Sequence, residues 1–210
     1  MNNQFIIYSD FDGTITKSDI LDGIITDYYS YDKYKEVENK LLSGNLNYEQ
    51  YLFDMFNNIK YNLAKIPSNL IDEQFYIFYD WILKNNVEFY IISSGFKKII
   101  EFLLPCVNSN LIFANDIIID NYDKWNVQLY DEGKQLSINK NNVIKLNNKF
   151  NYKTVFIGDG LSDFKVIGNV DYLFCKMNSL LHTKCINEKC EHIVYENFND
   201  ILKHIKKLKL

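Results

Sequence analysis

Short apolar runs recur along the chain, each followed by a polar or glycine-containing loop. The runs cover residues 5–8, 87–92, 154–157 and 172–175. Mainly apolar runs of this length are typical of strands that are buried on both faces of a parallel sheet. Helical patterns follow the second and third runs, at residues 96–104 and 161–167. The repeated order of strand, loop and helix predicts an α/β fold with a mainly parallel sheet.

The pattern changes between the first and second runs, where apolar residues recur three and four positions apart. That spacing predicts helices with one apolar face. We therefore expect a core formed by residues 1–16 and 85–210, with a helical insertion at residues 17–84. A later stretch, residues 110–136, indicates extended segments with a turn near residues 121–123.

Composition sets the broad class of the protein. With 210 residues, of which 47% are hydrophobic, the chain can bury the core of one domain that carries an insertion. A net charge of −4 gives no general attraction to nucleic acid or to anionic membranes. Four irregularly spaced cysteines do not suggest a disulfide framework, and no apolar run resembles a signal peptide or a membrane span. We expect a cytoplasmic protein.

Two pairs of carboxylates follow predicted strands. Asp10 and Asp12 come after the first run and precede Gly13, while Asp159 and Asp163 come after the third. Each pair has an ordinary interpretation on its own, as a turn or as the start of a helix. In α/β sheets, however, the carboxyl ends of the strands form the ligand site, which would bring the pairs together. Oxygen ligands of this kind favour Mg²⁺.

Two further positions gain interest beside the carboxylates. Ser93, Ser94 and Gly95 follow the second run and open a predicted helix, where a hydroxyl and backbone N–H groups can bind an anion. An ordinary serine N-cap explains the same residues. Lys140 precedes a predicted helix at residues 141–148 and is one lysine among many, so only its place in the chain makes it notable.

Together these motifs resemble those of the haloacid dehalogenase superfamily, in the right order and over nearly the whole chain. The matching segments are Asp10-Phe11-Asp12-Gly13-Thr14, Ser93, Lys140 and Gly158-Asp159-Gly160-Leu161-Ser162-Asp163. An aspartate at position 12 resembles the phosphatase branch of that superfamily. The resemblance implies a Rossmann-like core and a small helical cap of the C1 type, inserted after the first strand.

The resemblance also implies a mechanism and a set of roles. Asp10 would be the nucleophile, Asp12 the general acid and base, and Asp19 a residue that faces the substrate from the cap. Phosphate would be held by Ser93, Ser94, Lys140 and Gly13. Mg²⁺ would be bound by Asp10, the carbonyl group of Asp12 and Asp159, with Asp163 in support. The implied function is Mg²⁺-dependent hydrolysis of a small phosphorylated metabolite through an aspartyl-phosphate intermediate.

Two alternatives use the same residues. A phosphotransferase or mutase would pass the phosphoryl group from the aspartate to another alcohol, and a catalytically silent protein would only bind the metabolite. An intact set of motifs favours an enzyme. The resemblance leaves the natural substrate and the oligomeric state open.

Within the superfamily, the chain resembles phosphoserine phosphatases and the enol-phosphate phosphatases of methionine salvage. Phosphoserine phosphatases carry an acidic residue where this chain has Asp19, and a cap arginine that binds the substrate carboxylate. All 23 basic residues of this chain are lysines. Lysine lacks the two-pronged geometry with which arginine binds a carboxylate, so the composition favours substrates other than phosphoserine.

A second candidate metal site lies near the end of the chain. His182, Cys185, Cys190 and His192 have a spacing that fits no standard zinc site. A helix followed by a strand explains residues 180–194 equally well, and the sequence leaves the question open.

Overall fold

A computed structural model describes residues 4–131, 133–149 and 151–208. Its sheet contains strands β1 to β7, in the spatial order β4-β3-β2-β1-β5-β6-β7. The strands are β1 (Gln4–Ser9), β2 (Glu88–Phe96), β3 (Ile112–Ile119), β4 (Trp125–Gln128), β5 (Tyr152–Gly158), β6 (Tyr172–Lys176) and β7 (Ile193–Tyr195). All neighbouring pairs are parallel except β3 and β4. The predicted α/β fold class is confirmed.

The helices begin where the sequence supplies capping side chains. They are α1 (Ile20–Tyr28), α2 (Tyr31–Leu42), α3 (Tyr48–Phe56), α4 (Glu73–Lys84), α5 (Lys97–Leu103), α6 (Lys140–Asn147), α7 (Leu180–Asn187) and α8 (Phe198–Lys207). Apart from α5, each follows an Asp, Ser or Asn whose side chain accepts a backbone N–H of the first turn. None of the helices in the described residues has the length and hydropathy to cross a membrane.

Alternate side chains of β1 enter two separate cores. Phe5 and Ile7 belong to the larger core, which also contains residues of α4, α5 and α8. Ile6 and Tyr8 belong to the smaller core, which contains residues of α6 and α7. Because successive side chains of a strand point to opposite faces, a central strand that is covered on both faces must be apolar throughout. This explains the uninterrupted apolar run at the start of the chain.

The predicted insertion contains α1 to α4, and the last of these helices packs against the sheet. The ring of Phe75 in α4 lies 6.1 Å from that of Phe89 in β2 and 5.2 Å from that of Phe198 in α8, centroid to centroid. The backbone enters and leaves the insertion at one place, where Lys17 N–H donates to Leu70 O at 2.7 Å. The domain boundary expected at residue 84 remains a prediction. We propose that the cap proper ends before α4, near residue 71.

A single tryptophan ties the cap to the β3–β4 hairpin. The backbone of Trp125, in β4, pairs with the chain just after α3: Asn58 N–H donates to Trp125 O at 2.7 Å, and Trp125 N–H donates to Ile59 O at 2.9 Å. Its indole N–H donates to Tyr61 O at 3.0 Å, and the side chain is fully buried. The hairpin has the extended segments and the turn that were predicted for this stretch, and it supports the cap from the side.

Candidate active site

The two predicted acidic pairs meet at the carboxyl ends of β1 and β5. These strands are neighbours, and Asp10 N–H donates to Ile157 O at 2.9 Å. Gly13 makes the close approach possible. Its φ is +72°, and a Cβ atom placed there would lie 2.3 Å from Asp159 Oδ2. The loop after β1 therefore packs directly against the carboxylate that follows β5.

Three carboxylates form a compact acidic group. Asp10, Asp159 and Asp163 each offer one oxygen atom, and these atoms lie within 4.8 Å of one another. Among the described residues, this is the only such group of histidine, cysteine, aspartate and glutamate side chains. The fully buried Asp163 uses Oδ2 to accept the N–H groups of Asp159 at 3.0 Å and Gly160 at 2.9 Å. It thereby fixes the loop that follows β5. The helix predicted after β5 is a 3₁₀ helix over Leu161–Val166.

Lys140 lies in the middle of this group. Its Nζ is 2.9 Å from Asp10 Oδ1 and 2.6 Å from Asp163 Oδ1, and the side chain is buried. Burial alone would lower the pKa of Lys140, but the two carboxylates outweigh burial and raise it. The lysine is therefore a permanent positive charge beside Asp10.

The acidic group has the properties of a cation site. Burial, the nearby Asp163 and the nearby Asp159 raise the pKa of Asp10 well above its usual range. Burial and Asp163 raise the pKa of Asp159 to about 6. Buried carboxylates that repel one another in this way are stabilised by a divalent cation, and an all-oxygen donor set suits Mg²⁺. The residues present thus fit the metal that the family resemblance implies.

Asp12 turns away from the acidic group. Its Oδ1 accepts the N–H of Ile20 at 3.2 Å, and its Oδ2 accepts the hydroxyl hydrogen of Ser93 at 3.2 Å. Burial and the negative charge of Asp19 raise the pKa of Asp12 to about 8. At neutral pH this carboxyl group is mostly protonated, so it can donate a proton in the cleft. The two carboxyl groups of the first motif, those of Asp10 and Asp12, therefore lie in different surroundings.

Ser93 and Ser94 lie at the end of β2, since the strand continues to Phe96 and α5 begins only at Lys97. Neither serine caps a helix. The Ser93 hydroxyl oxygen accepts the N–H of Gly95 at 2.9 Å, which fixes its direction toward Asp12. The position of α5 differs by one residue from the prediction, because the strand keeps its extended conformation through the motif.

Asp19 lies at the edge of the site as the N-cap of α1. Its Oδ1 accepts the N–H of Asp22 at 3.0 Å, and burial together with Asp22 raises the pKa of its carboxyl group. It lines the same cleft as Asp10 and Asp12. The cleft has a volume of about 970 Å³, and its floor carries Ser93, Ser94, Lys140 and Asp159. The predicted site residues therefore share one cavity or support its floor.

Three residues of the site were not singled out from the sequence. The hydroxyl of Thr14 donates to Asp159 Oδ1 at 2.8 Å, and Lys176 Nζ donates to Gly13 O at 2.5 Å. Tyr48, from the cap, donates its hydroxyl hydrogen to Ser94 O at 3.2 Å. Thr14 is part of the first motif, so the sequence held a signal for it, whereas Lys176 only follows a predicted strand. The helical pattern around Tyr48 carried none.

The histidine and cysteine cluster forms no comparable site. Cys185 is buried with its Sγ 3.7 Å from that of Cys175, inside the smaller core. His182 and His192 approach each other, with ring centroids 5.4 Å apart. The four residues do not bring three ligand atoms together, and the helix-and-strand explanation accounts for their spacing.

Known proteins resemble this chain along nearly its whole length. It is 28% identical to Pdp3-interacting factor 1 of Schizosaccharomyces pombe, over 98% of this chain and 96% of that protein. It is 26% identical to the polyol phosphate phosphatase PYP1 of Saccharomyces cerevisiae, over 97% and 93% of the two chains. It is 27% identical to a 2-hydroxy-3-keto-5-methylthiopentenyl-1-phosphate phosphatase of Bacillus cereus, over 97% and 98%. No family model matches the chain.

Solved structures agree on the fold. A phospho-aspartyl intermediate analogue of phosphoserine phosphatase superposes with a TM-score of 0.70 and 19% identity, over 96% of this chain and 99% of that one. A similarity at this identity establishes the fold alone. Together with the full-length relatives, it confirms the resemblance to haloacid dehalogenase superfamily phosphatases that the motifs indicated.

Proposed function

We propose that the protein is a Mg²⁺-dependent phosphomonoester hydrolase that acts on a small phosphorylated metabolite through an aspartyl phosphate on Asp10. One observation carries the proposal. Asp10 lies on the floor of an open cleft between a permanent cation, Lys140, and a proton donor, Asp12. Two of the full-length relatives are named as phosphatases, one of polyol phosphates and one of an enol phosphate, which supports the same activity here.

Asp10 is oriented to act as a nucleophile. Its Oδ1 accepts the N–H of Phe11 at 2.7 Å and lies 2.9 Å from Lys140 Nζ, so the carboxylate cannot rotate freely. In the first step an oxygen of Asp10 bonds to phosphorus while the bond from phosphorus to the alcohol oxygen breaks. The positive charge of Lys140 lowers the pKa of Asp10 against the effect of burial, and it stabilises negative charge on the phosphoryl oxygens.

Asp12 supplies and removes the proton in the two steps. Its raised pKa places a proton on the carboxyl group at neutral pH, and that proton passes to the oxygen of the departing alcohol. Asp12 is then a carboxylate and accepts a proton from the water whose oxygen bonds to phosphorus, while the bond from phosphorus to Asp10 breaks and releases the Asp10 carboxylate. Before a phosphate ester binds, the hydroxyl of Ser93 holds Asp12 in place.

The remaining residues hold the phosphoryl group and the metal. We assign Mg²⁺ to Asp10, Asp159 and the carbonyl group of Asp12, with Asp163 orienting the loop. When bound, the ion supplies positive charge that neutralises the phosphoryl oxygens. Ser93, Ser94 and the backbone at Gly13 are assigned to the phosphate oxygens. We further propose that the protein acts in the cytoplasm, without a nucleic acid or membrane partner.

The test compares the wild-type protein with Asp10→Asn on an aryl phosphate, with Mg²⁺ and with excess chelator. Asn is nearly the same size as Asp but cannot attack phosphorus, so we expect a loss of at least about 10³-fold in kcat. Asp54→Asn, on an exposed position of α3, serves as the control for the same chemical change and should retain full activity. Circular dichroism checks that the folds match.

Activity within tenfold of wild type in Asp10→Asn, or full activity in excess chelator, contradicts the proposal. Transfer of phosphate to an added alcohol in preference to water would identify a phosphotransferase instead. Tight binding of phosphate esters without turnover by the wild-type protein would identify a binding protein.

A further inference from the structure

The side of the cleft formed by the cap carries negative charge. The cap residues that line the cleft are Asp19, Leu21, Tyr48 and Glu49. Two of the four are carboxylates and none is a cation. A phosphate ester bound at Asp10 would have its alcohol part between these residues and the floor, because the phosphoryl group occupies the floor.

The lysines of the cap are engaged elsewhere. Lys17 donates to Asn69 O at 3.0 Å, and Lys65 lies 3.6 Å from Asp27. Lys33, Lys35 and Lys40 pair with Glu36 or Glu38 on their own helix. Lys60 is exposed, and none of these six lysines is among the residues that line the cleft. The cap therefore presents no cation to a substrate.

Two of the three lysines that line the core side of the cleft are paired with carboxylates. Lys134 pairs with Asp131 at 3.1 Å, and Lys140 lies between Asp10 and Asp163. The third, Lys165, is exposed and has no ion pair among the described residues. Burial alone would raise the pKa of Glu49, but hydrogen bonds from Ser137 and the charge of Lys165 lower it overall. Glu49 is therefore ionised at neutral pH.

Glu49 is also fixed in position. Its Oε1 accepts the hydroxyl hydrogen of Ser137 at 2.6 Å and the N–H of the same residue at 3.2 Å. Ser137 belongs to the core loop that leads to Lys140, so the contact crosses the cleft from the cap. Both groups are partly buried, which keeps the charge of Glu49 at the cleft and weakens its screening by water.

Given the proposed phosphatase function, we infer that Glu49, together with Asp19, excludes phosphate esters whose alcohol part carries a carboxylate. Glu49 is the specificity-determining residue, and the substrate has a neutral or cationic alcohol part. A substrate carboxylate would meet two fixed like charges and no available cation from the cap. Like charges placed together in a partly dehydrated site reduce binding and turnover by at least about tenfold.

Two matched substrate pairs test this discrimination. Phosphoserine differs from phosphoethanolamine only by an added carboxylate. In the second pair, 3-phosphoglycerate has a carboxylate where glycerol 3-phosphate has a hydroxymethyl group. We expect kcat/KM to favour the member without the carboxylate by at least about tenfold in each pair. Equal values, or a preference for either carboxylated member, would overturn the inference.

Substitutions then test whether Glu49 is responsible. Glu49→Gln removes the charge, keeps the length and can still accept from Ser137, so it should narrow each ratio by about threefold or more. Glu73→Gln, an exposed acidic position on α4, should leave the ratios unchanged. Ser137→Ala removes the hydroxyl hydrogen bond to Glu49 but keeps the charge of Glu49. Comparing this variant with Glu49→Gln separates the effect of the charge on the kcat/KM ratios from the effect of the contact across the cleft. Ratios in Glu49→Gln equal to those of wild type would overturn the role of Glu49.

Binding distinguishes this result from a failure of the proposed catalytic activity. The same four esters are titrated calorimetrically into Asp10→Asn, which cannot turn them over by the proposed route. We expect the esters without a carboxylate to bind more tightly even if the wild-type protein proves inactive. Equal affinity within the pairs, or no binding of any ester, would overturn the inference that carboxylated esters are excluded. This outcome does not depend on whether the protein turns the esters over.

Discussion

At position 13 the site requires a residue without a side chain. Gly13 has a φ of +72°, and a Cβ atom there would lie 2.3 Å from Asp159 Oδ2. Its carbonyl oxygen accepts from Lys176, so the turn is fixed from both sides. The first motif was readable from the sequence because its residues are adjacent. Lys176 is 163 positions away, and only the packing of the strands shows that it belongs to the same turn.

Gly13→Ala should therefore impair both folding and catalysis. We expect a loss of about 2 kcal/mol or more in the free energy of unfolding, and of about 100-fold in kcat/KM because Asp159 is displaced. Gly44 provides a matched control, since its φ is +74° and its Cβ would meet nothing within 4 Å. Gly44→Ala should cost about 1 kcal/mol and leave activity unchanged. Urea denaturation measures the stability of both variants. Equal activity of Gly13→Ala and Gly44→Ala would contradict the account of the turn.

Among the elements, the buried central strands were the easiest to predict and the edges the hardest. The apolar runs lie in β1, β2, β5 and β6, which are covered on both faces and therefore carry apolar side chains on both faces. The short β7 has only three residues, and the sequence indicated it only as part of the helix-and-strand alternative to a metal site. The helical spacing does not separate α4 from α3, and the proposal that the cap ends before α4 rests on the contacts of Phe75 with Phe89 and Phe198.

Asp171 joins β5 to β6 and gives a pH-dependent test of this region. It accepts the N–H of Thr154 at 2.8 Å, the hydroxyl hydrogen of Thr154 at 2.9 Å and Lys153 Nζ at 2.6 Å. Burial alone would raise the pKa of Asp171, but these contacts lower it overall. A lowered pKa stabilises the fold above the pKa of the unfolded chain, and the effect is lost as the pH falls through the folded value.

Asp171→Asn should accordingly lower the free energy of unfolding by about 1–3 kcal/mol at neutral pH. The difference from wild type should shrink as the pH falls below about 4. Lys153→Met removes only the exposed ion pair and should cost less than about 1 kcal/mol. Denaturant titrations at several pH values measure all three proteins. A difference that grows toward acid pH would contradict the role of Asp171.

On the scale of the whole molecule, the residues that line the cleft come from two parts of the fold, the core and the cap. The core carries Asp10, which we propose as the nucleophile, together with the acidic group and Lys140, whereas the cap supplies Asp19, Tyr48 and Glu49 to the cleft. Chemistry follows from local motifs and was accessible to sequence reasoning. Selectivity depends on which cap side chains reach the cleft, and helical spacing alone does not distinguish a residue that faces the cleft from one that faces solvent.

The central claim is that the phosphoryl group passes through Asp10, and acid trapping during turnover tests it most directly. The enzyme is mixed with excess aryl phosphate and Mg²⁺, quenched in acid, digested and analysed by mass spectrometry. We expect the added mass of one phosphoryl group on the peptide that contains Asp10, and no such species in Asp10→Asn. Rapid turnover with unmodified Asp10, under conditions that preserve a synthetic acyl phosphate, would contradict the account.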